Sequence, residues 1–408
     1  MQLTDTRFTQ HIAALARAAV LMLCVLVCAA CSSSDDDGGL NGSSDPDATV
    51  FTMRIVTYNT TSRSWSDPYD RKGNAAENRI NVTDGDFRVY LFDKDGKFLQ
   101  IVQGYMETNG SQSDYVLRGK IARQYTDFGS TGSARLTVLA LANWREWGAI
   151  YPTPARGTLL NDFIANTKNE FKIASTAWYP FGSATPKRGI PMFGYHIFTL
   201  TKAEAEASTE YAPATLRGTD DKNDLYMMRS MAKIEIVDAM EKAGSDAYPA
   251  LDKIIIDKYI PNGLLVPKTT AWKGNGLQAS AISMPEPYSF SGSELNMFKS
   301  ADYDSEGVTV NGQQFTGRDM MVAYVPEQYF ANAQNSPNMT ITVRDFAEGT
   351  KNPTKTVKYR LNLHDIIGQT MLRNHVYRIR VAIAATEIVC SCTIRDWEQG
   401  DGYVQDMK

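Results

Sequence analysis

The sequence is poor in the side chains that most often carry catalysis. It has four histidines in 408 residues, His11, His196, His364 and His375, and none of them stands in a metal-ligand or triad spacing. There is no HExxH, no GxSxG and no glycine-rich phosphate loop, and after Cys31 there is no CxxC. Those absences remove the motif-bearing metalloprotease, serine-hydrolase, nucleotide-binding and dithiol-redox classes. A glycosidase needs only two carboxylates and leaves no such signature, but 46 scattered acids single out no pair. Cysteine is equally scarce. Three of five lie in the first 31 residues, and only Cys390 and Cys392 remain beyond. Two residues apart on a strand, they share a face at roughly 6.5 Å, near the upper limit for a disulfide. A metal site would need further ligands close by, so both read as small core side chains. No cofactor or metal is expected. With 42 basic and 46 acidic residues the net charge is −4, which gives nucleic acid no basic surface to bind.

Long apolar runs are also missing. The one candidate, Ala18 to Ala30 (AAVLMLCVLVCAA), is shorter than the roughly 20 residues a membrane helix needs. It follows Arg7 and Arg17 and ends in Ala29-Ala30-Cys31. That is the layout of a secretory signal, here with a lipoprotein cleavage site. A small residue precedes the cleaved Ala30–Cys31 bond, and the Cys31 thiol is the nucleophile that takes a diacylglyceryl group. The position three before Cys31 is Cys28, where such signals usually carry Leu; bulky Val27 makes Cys28 itself a poor acceptor. Residues 1–30 are therefore read as a signal peptide and 31–48 as a lipidated acidic linker. Its run SSSDDDGG has too little apolar content to fold. Ser32 does not resemble an Asp-based inner-membrane retention signal. The acidic run resembles the surface-export signal of Bacteroidetes lipoproteins, so the expected location is the outer membrane and cell surface.

What the remaining roughly 375 residues do have is short alternating runs, 20 tyrosines and many threonines, the composition of an all-β chain too long for one core. In Thr49 to Tyr58, Phe51, Met53 and Ile55 share one face. A polar stretch from Asn59 to Asn78 follows, carrying Arg63 and Arg71. Phe87 to Asp93, a Lys94-Asp95-Gly96 turn and Lys97 to Val102 form a hairpin. Arg135 to Ala142 reads as a central strand, Leu160 to Ile173 as a short helix and Lys202 to Ala207 as another. Met227 to Asp238 alternates Ile234 and Ile236 with Lys233 and Glu235. A second group of runs ends with Val376 to Ile383 and Ile388 to Arg395. Two successive groups of short strands predict two β-sandwich domains in tandem: 49–225 and 226–385, with a tail at 386–408.

Several segments resemble the fimbrillin family of Bacteroidetes, the subunits of type V pili. They are AENRINVTDGDFRVYLFDKDGKFL (76–99), IPMFGY (190–195), RSMAKIEI (229–236), LRNHVYRIRV (372–381) and VCSCTIRDWEQGDGYVQDM (389–407). Together they span nearly the whole chain after Cys31. The resemblance implies transthyretin-like (Greek-key) sandwiches and a structural, non-enzymatic role in a surface fimbrium that supports adhesion. It implies, too, that an arginine- or lysine-specific protease removes the lipidated segment and the first strand. A strand from the next subunit then fills the groove. On this chain the cut is expected after Arg71, with Arg63 second. The displaced strand is that of Phe51, Met53 and Ile55. The donor is the tail strand with Ile388, Cys390, Cys392 and Ile394 on one face and Trp397 as an anchor. Its partners would be other fimbrial subunits and the outer membrane before processing, with host or bacterial surface receptors beyond. Two other readings stay open: an anchor or accessory subunit that keeps its lipid, or a monomeric glycan- or host-ligand-binding lipoprotein using Trp144, Trp147 and Trp178.

Overall fold

Alternating and β-branched runs become strands wherever both neighbours can complete their ladders, and in this computed structural model they build an all-β molecule. The structure describes residues 47–57, 75–82, 86–108, 114–173, 178, 180, 188–218, 222–240, 249–258, 260–267, 272–273, 276–277, 294–299, 308–310, 313–315, 320–345, 355–384, 387–396 and 403–405. All of them belong to one compact unit, Leu40–Lys408.

The first strand set comprises β1 (Ala48–Val56), β2 (Phe87–Phe92), β3 (Phe98–Ile101), β4 (Gln103–Thr108), β5 (Asp114–Ala122), β6 (Ser133–Ala142), β7 (Met192–Thr201) and β8 (Asp224–Arg229). They follow the order β3-β2-β6-β7-β8-β1-β5-β4. β8 serves two layers: Asp224–Tyr226 pairs with β1, and Met227–Arg229 pairs with β7. Phe51, Leu117 and Ile121 from one layer meet Val89, Leu136 and Phe198 from the other in a shared core. A second cluster covers the outer face of β2 and β6 with Trp144, Tyr151 and Phe163. Burial on both faces explains why Arg135 to Ala142 is almost continuously apolar.

The second set comprises β9 (Met231–Asp238), β10 (Ala250–Asp257), β11 (Met320–Pro326), β12 (Asn338–Asp345), β13 (Lys355–Asn362), β14 (His375–Ala384) and β15 (Glu387–Asp396). One sheet runs β11-β9-β14-β15, extended by Phe298–Lys299 beside β11 and Tyr403–Gln405 beside β15; the other runs β10-β12-β13, with Glu294–Asn296 beside β10. Ile234, Ile236, Ile341, Tyr377 and Ile379 fill the space between them. β9 and β14 are parallel, and their partners across the rest of both sheets are antiparallel.

Several local expectations hold. Gly96 takes φ 73° at the hairpin turn, and the Asp93 carboxylate accepts from the backbone N–H groups of Asp95 and Lys97, as a turn aspartate does. A helix, Lys202–Ala207, starts at a capping box between Thr201 and Glu204. Others need correction. The helix expected over Leu160 to Ile173 stops at Ala165, and Glu170–Lys172 is a strand paired with Asn262–Leu264. The chain crosses between the strand sets at Ser230 rather than near residue 225, because Asp224–Arg229 is needed to close the first set. Leu265 and Val266, from the second half, complete the first set's outer cluster.

Candidate functional site

The first strand sits inside its layer, not at its rim. β1 pairs antiparallel with β5 at nine positions, from Ala48↔Ala122 to Val56↔Asp114. Its other side pairs with β8 through Arg54, Ile55 and Val56, and with Ala214–Thr215 through Phe51 and Thr52. Phe51, Met53 and Ile55 are fully buried. Phe51 lies opposite Gly119, and a Cβ there would come within 2.7 Å of the Phe51 ring. The missing side chain is thus a hollow shaped for that ring. Backbone and side-chain bonds hold the strand further: Val50 N–H to Ser208 Oγ at 3.2 Å and Arg54 N–H to the Asn223 carbonyl at 2.9 Å. Together these features form a slot between β5 and β8, occupied by the chain's own first described strand.

At the end of this slot lies a buried polar cluster that joins the two strand sets. Arg229, the last residue of β8, is fully buried. Its guanidinium donates to the Thr57 carbonyl at 2.7 Å, the Glu77 carbonyl at 3.2 Å and Asn374 Oδ1 at 3.2 Å, and also to Asn78 Oδ1. The Glu77 carboxylate accepts from the Tyr324 hydroxyl at 2.5 Å and pairs with Lys233 at 2.7 Å. Lys233 also pairs with Glu235 at 2.7 Å, and Arg378 reaches Glu235 at 2.7 Å. Burial alone would pull the Lys233 ammonium down, but Glu235 and Glu77 outweigh it and hold the ammonium above its ordinary range. Burial would likewise raise Glu235; Lys233 and Arg378 overcome it and bring its carboxyl to about 2. Such a chain is tolerable in the interior only because each charge has a partner.

The tail strand is placed differently. Glu387 to Arg395 has two readings in the sequence, a donor strand that stands apart from its own subunit or the last strand of its own domain; in the structure β15 pairs with β14 at ten positions, from His375↔Asp396 to Ala384↔Glu387. Cys392 is buried in the second core, while Ile388, Cys390 and Ile394 are only partly buried against it. The period-2 face that would suit a groove also suits the chain's own sandwich. Along its far edge, among the described residues, the ladder partner of β15 is Tyr403–Gln405. Burial pushes the Cys390 thiol up to about 11 and the Cys392 thiol to about 12, and the two cysteines are free. High thiol pKa values suit inert packing.

The structure brings Phe51, Met53 and Ile55 together in the slot and keeps them in a different strand set from Ile388 to Ile394. Ala30, Cys31, Arg63, Arg71 and Trp397 lie outside the described residues. Trp144 and Trp147 are buried, and Trp178 is partly buried against the first core. A surface cleft of about 360 Å³ is lined by Asp93, Lys97, Tyr125 and Arg156, but Arg156 already covers the Tyr125 ring at 3.5 Å. No cluster of metal-ligating side chains occurs among the described residues. Sequence reasoning missed Arg229 and the Lys233–Glu235 pair as buried groups.

No protein-family model and no curated relative matches the chain. Solved structures do. Its structural neighbours include fimbrial proteins of Bacteroidetes, with putative cell adhesion and putative polysaccharide binding proteins beside them. One is the tip fimbrial protein Mfa3 from Porphyromonas gingivalis, truncated at its C-terminus: 14% identity, TM-score 0.46, over 86% of this chain and 100% of that one. Another is a fimbrial assembly protein from Parabacteroides distasonis, with 15% identity, TM-score 0.41 and 88% and 99% coverage. The fimbrial anchor protein Mfa2 from Porphyromonas gingivalis gives 10%, 0.31, and 85% and 98%.

Proposed function

We propose that this protein is a structural, non-enzymatic subunit of a cell-surface fimbrium. It is exported as an outer-membrane lipoprotein through Cys31, cut by an arginine- or lysine-specific protease and joined to its neighbours by strand exchange, in support of adhesion. The observation that carries this reading is the position of β1. It is the first described strand and is interior, with Arg63 and Arg71 between it and the rest of the sheet. A cut after Arg71 would leave nothing covalent holding β1 to β5 and β8. Its loss would open a trench with unpaired backbone on both sides and an apolar floor, which an extended strand from another subunit restores. Insertion of that kind is head-to-tail, does not close on itself and makes filaments.

A lipid-retaining anchor or accessory subunit is the second reading, favoured by how firmly β1 is held. A chain that keeps the Cys31 lipid also keeps β1 in its slot, paired with β5 at nine positions, and such a subunit accepts no strand there. Purified precursor incubated with a trypsin-like protease separates the two. Ladders on a gel, with a new N-terminus after Arg71 or Arg63, support the polymer subunit. Absence of ladders, together with surface fimbriae whose chain begins at Cys31, supports the anchor. Labelling with a clickable palmitate analogue should be lost in Cys31→Ala, and equal labelling would refute lipidation there.

A further inference from the structure

One guanidinium reaches both ends of the stretch that contains Arg63 and Arg71. Arg229 binds the Thr57 carbonyl, one residue past β1, and on the other side the Glu77 carbonyl and Asn78 Oδ1, in the short helix Ala75–Asn78. Asn374, just before β14, accepts from it as well and from its backbone N–H at 3.2 Å. Asn374 is itself set at φ 58°, a conformation asparagine tolerates. All but one of these partners belong to parts of the molecule that a cut between residues 58 and 74 would leave in place. The exception is the carbonyl of the slot strand. Arg229 is therefore held in a fixed pose, with one donor aimed at whatever strand fills the slot.

We propose that Arg229 is the anchor that retains the slot strand, so that cutting the chain and releasing β1 are two separate steps. The proposal rests on the strand-exchange reading and specifies how the slot is vacated and refilled. A cut removes the covalent link but not the ladder, the Phe51 ring in the Gly119 hollow or the charge-assisted bond to Thr57. A buried donor that loses its acceptor is costly, so β1 stays until a competing strand supplies a carbonyl of its own. Because every strand carries carbonyls, Arg229 selects reach, not side chain. The occupant must run from the Gly119 hollow past the Ile55 position, to the carbonyl that lies six residues beyond Phe51. Side-chain alternation cannot impose this, since a slip of two residues preserves the inward face.

The test uses the full chain with a specific protease site inserted between residues 58 and 74, so that the cut does not depend on Arg63 or Arg71. After cleavage, retention of the N-terminal fragment is followed by gel filtration and mass spectrometry. The fragment should co-elute with the wild-type body and leave about tenfold faster from Arg229→Met. Two amidated peptides are then used as chasers: one of residues 47–58, the other ending at Val56, which keeps every ladder position of β1 and lacks only the stretch with the Thr57 carbonyl. The longer should displace the fragment about tenfold more effectively in the wild type, and that advantage should vanish in Arg229→Met. If Arg229→Met does not fold, Arg229→Lys, which keeps the charge but loses the fork of donors, should give a smaller loss in both readouts. Immediate loss of the wild-type fragment, or equal chasing by the two peptides, overturns the anchor role. Fimbriae that still carry Arg63 and Arg71 would overturn the processing reading and leave the anchor measurement intact.

Discussion

The two terminal strands invite comparison. β1 has a neighbour on each side, inward side chains with no exposure and a hollow at Gly119 matched to its largest ring. β15 has one full-length neighbour, a three-residue partner on its other edge and inward side chains that are mostly half-buried. Both carry the same period-2 pattern, so pattern alone makes them look interchangeable. Burial separates them: the first strand is built in like a core element, and the last lies near a margin. If strand exchange operates here, the strand to be displaced is the one bound more strongly in place, which is why its removal needs a cut and a competitor.

The largest effect that could break the comparison is at Phe51. Phe51→Ala should destabilise the protein by about 3–5 kcal/mol, as full-core aromatic truncations do, measured by urea unfolding with the first strand set as the cooperative unit. A loss under about 1 kcal/mol would mean that the slot is only loosely filled.

Next comes the junction. Glu235→Gln removes the carboxylate that Lys233 and Arg378 share, leaving Lys233 paired with Glu77, and should cost about 3 kcal/mol. Its pH signature is definite. The folded Glu235 carboxyl, at about 2, lies below its ordinary 4.5, so its contribution is complete above pH 4.5 and disappears as the pH falls toward 2. Protection from hydrogen exchange in β9 and β14, taken relative to the intrinsic rate of the unfolded amide at each pH, should fall over that interval in the wild type, and pH-independent protection would refute the assignment.

Asp86, at the entry to β2, runs the other way. Burial raises it from 3.8 to about 6 against the pull of the Trp144 and Arg145 backbone N–H groups, each donating at 2.7 Å. Its protonated form favours the fold, with the contribution present below pH 3.8 and lost as pH rises through 6. Asp86→Asn keeps an acceptor for those N–H groups and should gain on the order of 2 kcal/mol at pH 7, with no gain at pH 3. Asp86 and Glu235 thus answer acid in opposite senses.

The smallest effect belongs to β15. Ile388→Ala should cost about 1 kcal/mol, since the side chain is only partly buried. A cost matching that of Phe51→Ala would erase the distinction between the strands.

Much of this architecture is legible in the sequence because it is local. The hairpin at Asp93 to Lys97, the short helix at Lys202 to Ala207 and the runs of β6 and β14 announce themselves through period and turn chemistry. The junction does not. Alternation puts Lys233 and Glu235 on the face opposite Ile234 and Ile236, which reads as solvent; it cannot reveal that the first strand set covers that face. Arg229 is invisible for the same reason, its partners Thr57 and Asn374 lying 172 and 145 residues away. The strand Glu170–Lys172 leaves no local signal, because its partner, Asn262–Leu264, comes from the other half of the chain.

The ladder around β1 also has a mechanical meaning. A pull along the axis of the slot strand loads its bonds to β5 and to β8 together, in shear, so that many must yield at once. β15, open along most of one edge among the described residues, would instead peel from β14 a pair at a time. A filament threaded through the slot would be toughest when stretched lengthwise, the direction in which flow drags a tethered cell.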